Sequence, residues 1–496
     1  MRKSGVLLPI FSLPGKYGIG CFSKEAYRFI DFLASSRQTY WQILPLGPTS
    51  YGDSPYQSFS TFAGNPYFIS LEGLVSEGLL STEECEKIDF GTNPNYISYD
   101  IMYRNRFSLL KVAYHRADLS QDKAYRQFEQ DNAFWLDDYA LYMSVKNKFR
   151  DVSFDQWDED IKMRRPEAVS AYTEALADEI GFYKFLQYKF MEQWTKLKKY
   201  ANKKGIKIVG DIPIYVSYDS SDAWAHPELF ELDEKKDLIA VAGCPPDGFS
   251  ADGQLWGNPI YRWDYHESTG YAWWKQRMKK CTELYDVIRI DHFRGFDEFY
   301  SIPAGSSNAV NGTWRKGPGM KLFNALKETL SGTQIIAEDL GFITDTVRKL
   351  VQDSGFPNMK VLEFAFDERD SGSRNEYLPH NYVHNSVVYT GTHDNETVVG
   401  WLGEITKAEY ERVKDYVDYH GTSDAEIADK LIRLAQASVA DTCIIPLQDY
   451  LHLDNSARIN KPATLGGNWV WRMNAEDIDE DLAEKIGILT ELYGRG

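Results

Sequence analysis

Eight short apolar runs, each ending abruptly in polar residues, constrain this chain more than any other feature of its sequence. They are Gly5–Leu8, Tyr40–Leu44, Ile206–Val209, Val287–Ile290, Gln334–Ala337, Lys360–Phe364, Val387–Thr390 and Thr442–Ile445. Near-continuous apolar strands of this length suit a parallel sheet buried on both faces. Parallel strands need long crossovers, and helical patterns lie between many of the runs. Ala26, Phe29, Ile30 and Leu33 share one helical face behind Ser23, a residue type that caps helix N-termini. Lys321–Leu330 and Thr344–Ser354 also read as helices. Eight strands alternating with helices predict an α/β fold, a (β/α)8 TIM barrel.

The spacing between the strands is uneven. About 160 residues separate the second run from the third, and they are mostly helical in pattern. Ser81-Thr82-Glu83-Glu84 is a capping box, and Glu167 to Tyr200 reads as one long amphipathic helix. A stretch rich in Gly, Pro and aromatic residues follows the third run, and long loops of this kind are usually functional. With no repeat, low-complexity tract or flexible linker, the expected organisation is one catalytic barrel over residues 1–496. It carries a helical insertion over 70–180 and a substrate-binding loop region over 212–265.

Composition narrows the function. The chain has 55 Lys and Arg against 73 Asp and Glu, a formal net charge of −18. Such an acidic balance argues against nucleic acid and against anionic membranes as partners. No stretch approaches the roughly 20 apolar residues of a membrane span. The apolar start is broken by Pro9 and lacks a small-residue cleavage site, so it reads as the first strand and not as a leader. Cys21, Cys85, Cys244, Cys281 and Cys443 are odd in number and form no CxxC pair, which predicts reduced thiols and a cytoplasmic protein. There is no GxGxxG after a strand, no GxxxxGK[ST] and no HExxH, so no cofactor and no metal is expected.

Barrel enzymes place their chemistry at the C-terminal ends of the strands. The fourth run ends in Arg289-Ile-Asp291-His-Phe-Arg-Gly, the fifth in Ala337-Glu338-Asp339-Leu-Gly and the seventh in Gly391-Thr-His393-Asp394-Asn. Side chains alternate along a strand, so Arg289 and Asp291 point the same way, and the guanidinium favours an ionised carboxylate. Three acids from three strand ends can converge above one barrel, although 47 and then 56 residues separate them. Glycoside chemistry uses such carboxylates across a sugar bond: one attacks while another donates and recovers a proton.

Further segments join these in a fixed order. They include Ser4-Gly-Val-Leu-Leu-Pro-Ile-Phe, Gln42-Ile-Leu-Pro-Leu-Gly-Pro-Thr, Ser54-Pro-Tyr-Gln-Ser, Gly64-Asn-Pro-Tyr, Gly210-Asp-Ile-Pro-Ile-Tyr-Val, Gly243-Cys-Pro-Pro-Asp, Gln254-Leu-Trp-Gly-Asn-Pro and Gly467-Asn-Trp. Over nearly its whole length the chain resembles bacterial 4-α-glucanotransferases of the amylomaltase type, glycoside hydrolase family 77. That resemblance implies Asp291 as nucleophile, Glu338 as acid/base and Asp394 as the residue that holds sugar hydroxyls. It implies Asp211, Arg289 and His393 as ligands near the cleavage point, and Ser54, Tyr56, Gln254, Trp256 and Asn468 along the subsites. Asp211 reads equally as a cap of the loop behind it, and His393 as a structural histidine. Asp339 becomes a structural acid.

The implied activity is transfer of an α-1,4-glucan segment to the 4-hydroxyl of an acceptor by retaining double displacement, with maltooligosaccharides as partners. A retaining site places its two carboxyls roughly 5–5.5 Å apart. Part of the 14% aromatic content then serves to stack neutral sugar faces. The alternatives are an α-glucan hydrolase with the same three acids and a non-catalytic glucan-binding protein. One departure stands out: Asn358 occupies a position where relatives generally carry Gly, which points to a different local turn.

Overall fold

The eight apolar runs become eight strands laid side by side: β1 (Lys3–Leu7), β2 (Tyr40–Gln42), β3 (Lys207–Pro213), β4 (Val287–Asp291), β5 (Gln334–Ala337), β6 (Asn358–Val361), β7 (Ser386–Tyr389) and β8 (Thr442–Pro446). The order is β6-β7-β8-β1-β2-β3-β4-β5, with every ladder parallel. This cyclic order is that of a (β/α)8 barrel, confirming the fold expected from the strand pattern. The computed structural model describes residues 2–50, 52–246, 251–341, 343–370 and 372–496.

Alternation along each strand builds the barrel. Leu7, Tyr40, Val209, Val287, Ile336, Met359, Val387, Tyr389 and Ile444 form one buried cluster to which all eight strands contribute. Their neighbours, among them Val6, Trp41, Ile208, Ile288, Ile335, Val388 and Ile445, belong instead to the large core shared with the helices. The first set fills the barrel and the second faces outward, as a period of two requires. Arg289 and Asp291 continue the inward series of Val287, and Asp211 continues that of Val209. Each therefore rises from the barrel interior toward its C-terminal mouth.

The seam lies between β5 and β6. There Ala337 N–H donates to Pro357 O at 3.0 Å, and the Asp339 carboxylate accepts from Met359 N–H at 2.9 Å. A side chain thus takes the place of a missing ladder bond. Asn358 opens β6 opposite Ser386 in ordinary strand pairing; the residue needs no left-handed turn, so Gly is not required here. Strand β6 also begins two residues earlier than the apolar run suggested, and the end of that run enters a 3-10 turn, Leu362–Phe366.

Helices Leu71–Ser76, Thr82–Glu86, Tyr99–Arg116, Lys123–Lys148, Pro166–Ala175 and Ala177–Lys203 lie between β2 and β3. The capping box forms: Ser81 N–H donates to Glu84 Oε2 at 2.8 Å, and Glu84 N–H to Ser81 Oγ at 3.2 Å. Ser23 occupies its N-cap position without making the cap bond. The expected single helix from Glu167 to Tyr200 is two, broken at Leu176 (φ −112°, ψ 20°). The 212–265 stretch is more regular than a loop. Ala240–Cys244 and Gln254–Pro259 pair antiparallel, and Glu298–Pro303 and Thr313–Lys316 complete a four-stranded sheet. Their partner comes from beyond β4, which local pattern cannot reveal. Residue Asp247 of the Gly243-Cys-Pro-Pro-Asp segment, with its three followers, lies outside the described residues. Among the described residues no helix is long and apolar enough to cross a membrane.

The seam gives a test. Asp339→Ala leaves Met359 N–H unpaired in a buried setting and is expected to cost about 1–3 kcal/mol; Asp339→Asn, which retains an acceptor oxygen, loses less. Urea unfolding with an unchanged slope checks both, and equal midpoints for Ala and wild type would show that the bond does not hold the seam.

Candidate active site

Asp211 and Arg289 are register partners on β3 and β4, and both point into the barrel mouth. Arg289 is 3% exposed and Asp211 fully buried. The Arg289 guanidinium donates through Nη1 to Asp211 Oδ1 at 2.8 Å and Oδ2 at 2.6 Å, and to Asp291 Oδ1 at 3.1 Å. Its Nε rests 3.4 Å from the sulfur of Met359. Burial works against the charge on Arg289, but Asp211 and Asp291 outweigh it and keep the guanidinium firmly protonated. Asp211 has no surface of its own to offer a ligand. Its oxygens are taken by Arg289 and by the Tyr56 hydroxyl, which donates to Oδ2 at 2.9 Å. In this structure it lies beneath the mouth of the site and reaches it through those two residues.

Tyr56 carries the network across the mouth to the seventh strand end. Its hydroxyl lies 2.9 Å from His393 Nε2, and the two rings stack at 5.2 Å with planes 15° apart. Trp469 closes on the pair, with centroids 5.8 Å from Tyr56 and 6.0 Å from His393. Ser54 supports this arrangement from the turn: its hydroxyl accepts from Tyr56 N–H at 3.2 Å. Burial lowers the His393 pKa, so the imidazole is neutral near pH 7. His393 Nε2 lies 3.4 Å from Asp394 Oδ2.

Asp394 is more open than Asp291, its side chain 43% exposed against 28%. Asn460 donates from Nδ2 to Asp394 Oδ1 at 2.6 Å, and Arg458 donates to the Asp394 carbonyl at 2.7 Å. Residue pattern gave no signal for Asn460 or Arg458, because both lie over 60 positions downstream in an irregular segment. Trp469 ends the segment Gly467-Asn-Trp, and its contact with Tyr56 and His393 arises only in three dimensions.

Glu338 follows β5 and faces β4. Its N–H donates to Ile290 O at 3.1 Å and Phe293 N–H donates to its carbonyl at 3.0 Å. The carboxylate accepts from His292 N–H at 2.6 Å through Oε2 and from Leu340 N–H at 2.8 Å through Oε1. His292 has a left-handed backbone (φ 54°), uncommon for a residue with a side chain. Burial raises both Asp291 and Glu338 above the ordinary carboxylate range; Arg289 opposes this at each, and the two amides oppose it at Glu338. Arg289 divides its charge between Asp211 and Asp291, so it does not fully offset the burial. Each carboxyl's charge also disfavours ionisation of the other, so the two acids titrate together.

The outer wall is aromatic. Trp256 meets His292 edge-on at 4.8 Å and Tyr215 at 6.2 Å. Its indole N–H donates to Gln254 Oε1 at 3.0 Å, so Gln254 orients the ring. Burial drives the His292 pKa down to about 3, which keeps a neutral ring beside the acids. Asn468 stands apart from this network. Its carboxamide accepts from Lys461 N–H at 2.9 Å and donates to Thr464 O at 3.0 Å, closing its own loop. Among the described residues no cluster of three or more His, Cys, Asp or Glu is arranged to hold a metal ion.

A family model described as 4-alpha-glucanotransferase matches residues 8–477. The chain is 50% identical to a 4-alpha-glucanotransferase of Clostridium butyricum over 487 residues, 98% of this chain and 99% of that one. It is 48% identical to one of Streptococcus pneumoniae over 497 residues, 100% of this chain and 97% of the relative. Amylomaltase from Streptococcus agalactiae, solved in complex with acarbose, superposes with a TM-score of 0.96 at 41% identity, covering both chains completely. On the family match, the full-length relatives and the shared architecture, the chain belongs to the 4-alpha-glucanotransferase family.

Proposed function

We propose that the protein transfers segments of α-1,4-glucans to the 4-hydroxyl of acceptor glucans or glucose by retaining double displacement at Asp291. The observation that carries this reading is that Asp291, Glu338 and Asp394 follow three strand ends of one barrel, with the charges of Glu338 and Asp394 both felt at Asp291, in a member of this family. The acarbose complex of the S. agalactiae relative supports extending glucan binding to this chain.

Asp291 attacks the anomeric carbon while Glu338 protonates the departing glycosidic oxygen. Arg289 offers a charge-assisted bond to Asp291, so it holds the nucleophile in place and favours its ionised form, which leaves the acidic proton on Glu338. Glu338 then serves as base toward the incoming 4-hydroxyl, in keeping with microscopic reversibility. The amides of His292 and Leu340 fix the direction of its carboxylate before substrate enters. Asp394, open and held by Asn460, is placed to bond two sugar hydroxyls and favour the distorted ring of the transition state. Trp256 and Tyr215 supply apolar faces for pyranose C–H surfaces. In this reading the whole chain is one catalytic unit, with 70–180 and 212–265 as insertions that border the glucan path. None of the cysteines is in a disulfide, which supports a reducing, cytoplasmic location.

Hydrolysis differs only in which hydroxyl enters the second step. Incubation with maltotriose is expected to give glucose and a ladder of longer glucans at constant total reducing ends; a rising reducing-end count would identify a hydrolase. Asp291→Asn and Glu338→Gln should each lower kcat by at least about 10³-fold, with the fold intact by circular dichroism. The rate should decline toward alkaline pH as Glu338, raised by burial, loses the proton it must donate, and Glu338→Gln should abolish whatever pH dependence belongs to that acid. Arg289→Met leaves Asp211 buried without its counter-charge. It should cost about 3–5 kcal/mol of stability and most of the activity, as read by denaturant melts and initial rates.

A further inference from the structure

The loop that carries His393 and Asp394 is backed by acids. Glu363 stands just beyond β6 and is 5% exposed, and neither of its carboxyl oxygens has a hydrogen-bond partner. Its backbone N–H donates to Thr390 O at 3.2 Å, tying it to the end of β7. Gly391 passes so close that a Cβ there would sit 2.8 Å from Glu363 Oε1. The Glu363 side chain therefore fills the space that a side chain at 391 would take.

The groups facing Glu363 are Asp449 from the helical turn after β8, Glu396 and Asn395 from the loop itself, and Arg458 from the segment beyond. Asp449 staples both ends of the loop, accepting from Thr390 Oγ1 at 2.5 Å and from Val398 N–H at 2.8 Å. Arg458, the guanidinium facing Glu363, is already held by the Glu396 carboxylate and the Asp394 carbonyl. Burial raises Glu363 far above the carboxylate range; Asp449 and Glu396 raise it further, and Asn395 and Arg458 oppose. A carboxylate left in such a place without a partner is strongly disfavoured, and the neutral acid is the form that fits.

We propose that Glu363 is a positioning residue that acts as a neutral carboxylic acid, filling the space behind Gly391 and holding the loop with His393 and Asp394 against the barrel mouth. It touches no substrate; it acts through Asp394. The inference rests on the reading of Asp394 as the residue that binds sugar hydroxyls. If that parent reading fails, Asp394→Asn forms the glucan ladder at the wild-type rate; if only this inference fails, Asp394→Asn is impaired and the variants below behave otherwise.

The test compares kcat and KM for maltotriose disproportionation in wild type, Glu363→Gln and Glu363→Ala from about pH 6 to about pH 9. Gln reproduces the shape and neutrality of the acid and cannot ionise. Its kcat/KM should lie within about twofold of wild type, and the ratio of Gln variant to wild type should hold or rise with pH. Effects of Asp291 and Glu338 cancel in that ratio. The Ala variant should lose at least about tenfold, chiefly in kcat. A Gln-to-wild-type ratio far below one that deepens with pH would show that the charge is needed and overturn the proposal. Wild-type activity in the Ala variant would overturn it as well. Should the Ala variant fail to fold, the Gln ratio decides alone.

Discussion

Everything at the mouth of this barrel is arranged around the guanidinium of Arg289. It sits inside the ring of strands, where a lone charge would be prohibitive, and it is tolerated because Asp211 grips it with both oxygens from the next strand. That grip has two consequences. It points one remaining donor direction at Asp291, and it leaves Asp211 with an acceptor for Tyr56, which passes the alignment on to His393. A single buried ion pair therefore sets the position of the nucleophile on β4 and of the ring that borders Asp394 on β7. Removing the cation would release both at once.

The remaining acid is controlled differently. Glu338 owes its orientation to backbone amides of His292 and Leu340, and the left-handed turn at His292 aims one of them. Asp394 depends on the loop beneath it, which Asp449, Glu363 and Arg458 brace from behind. The three acids are thus held by three separate devices: a charge, a pair of amides and a packed loop. This division suits a site in which one group attacks, one moves protons and one binds hydroxyls, because each can respond to substrate without dislodging the others.

Much of the fold was legible in the sequence, since a parallel barrel buries each strand on both faces and so writes each as an apolar run. All eight strands begin within two residues of those runs, and β6 ends early because its apolar pattern continues into a 3-10 turn. The helix break at Leu176 left no Pro or Gly there to announce it. The four-stranded sheet was hidden because its strands are joined across more than 50 residues and two barrel elements. In the site, the alternation of Arg289 and Asp291 could be read from period two, and their contact follows it. The burial of Asp211 could not, because it depends on which residue the neighbouring strand places opposite. Asn460 and Trp469 carry no local signal at all; their contacts are made by irregular chain folded back over the mouth.

The central claim is that Asp291 forms a bond to the sugar. The most direct measurement is peptide mass mapping of the Glu338→Gln variant after brief reaction with a maltooligosyl fluoride. Fluoride leaves without an acid, and the missing base slows turnover of the adduct. The account predicts a glycosyl mass increment on the peptide containing Asp291, absent when Asp291 is also replaced by Asn. An increment on the peptide of Asp394, or an unmodified Asp291 peptide while fluoride is still released, would contradict it.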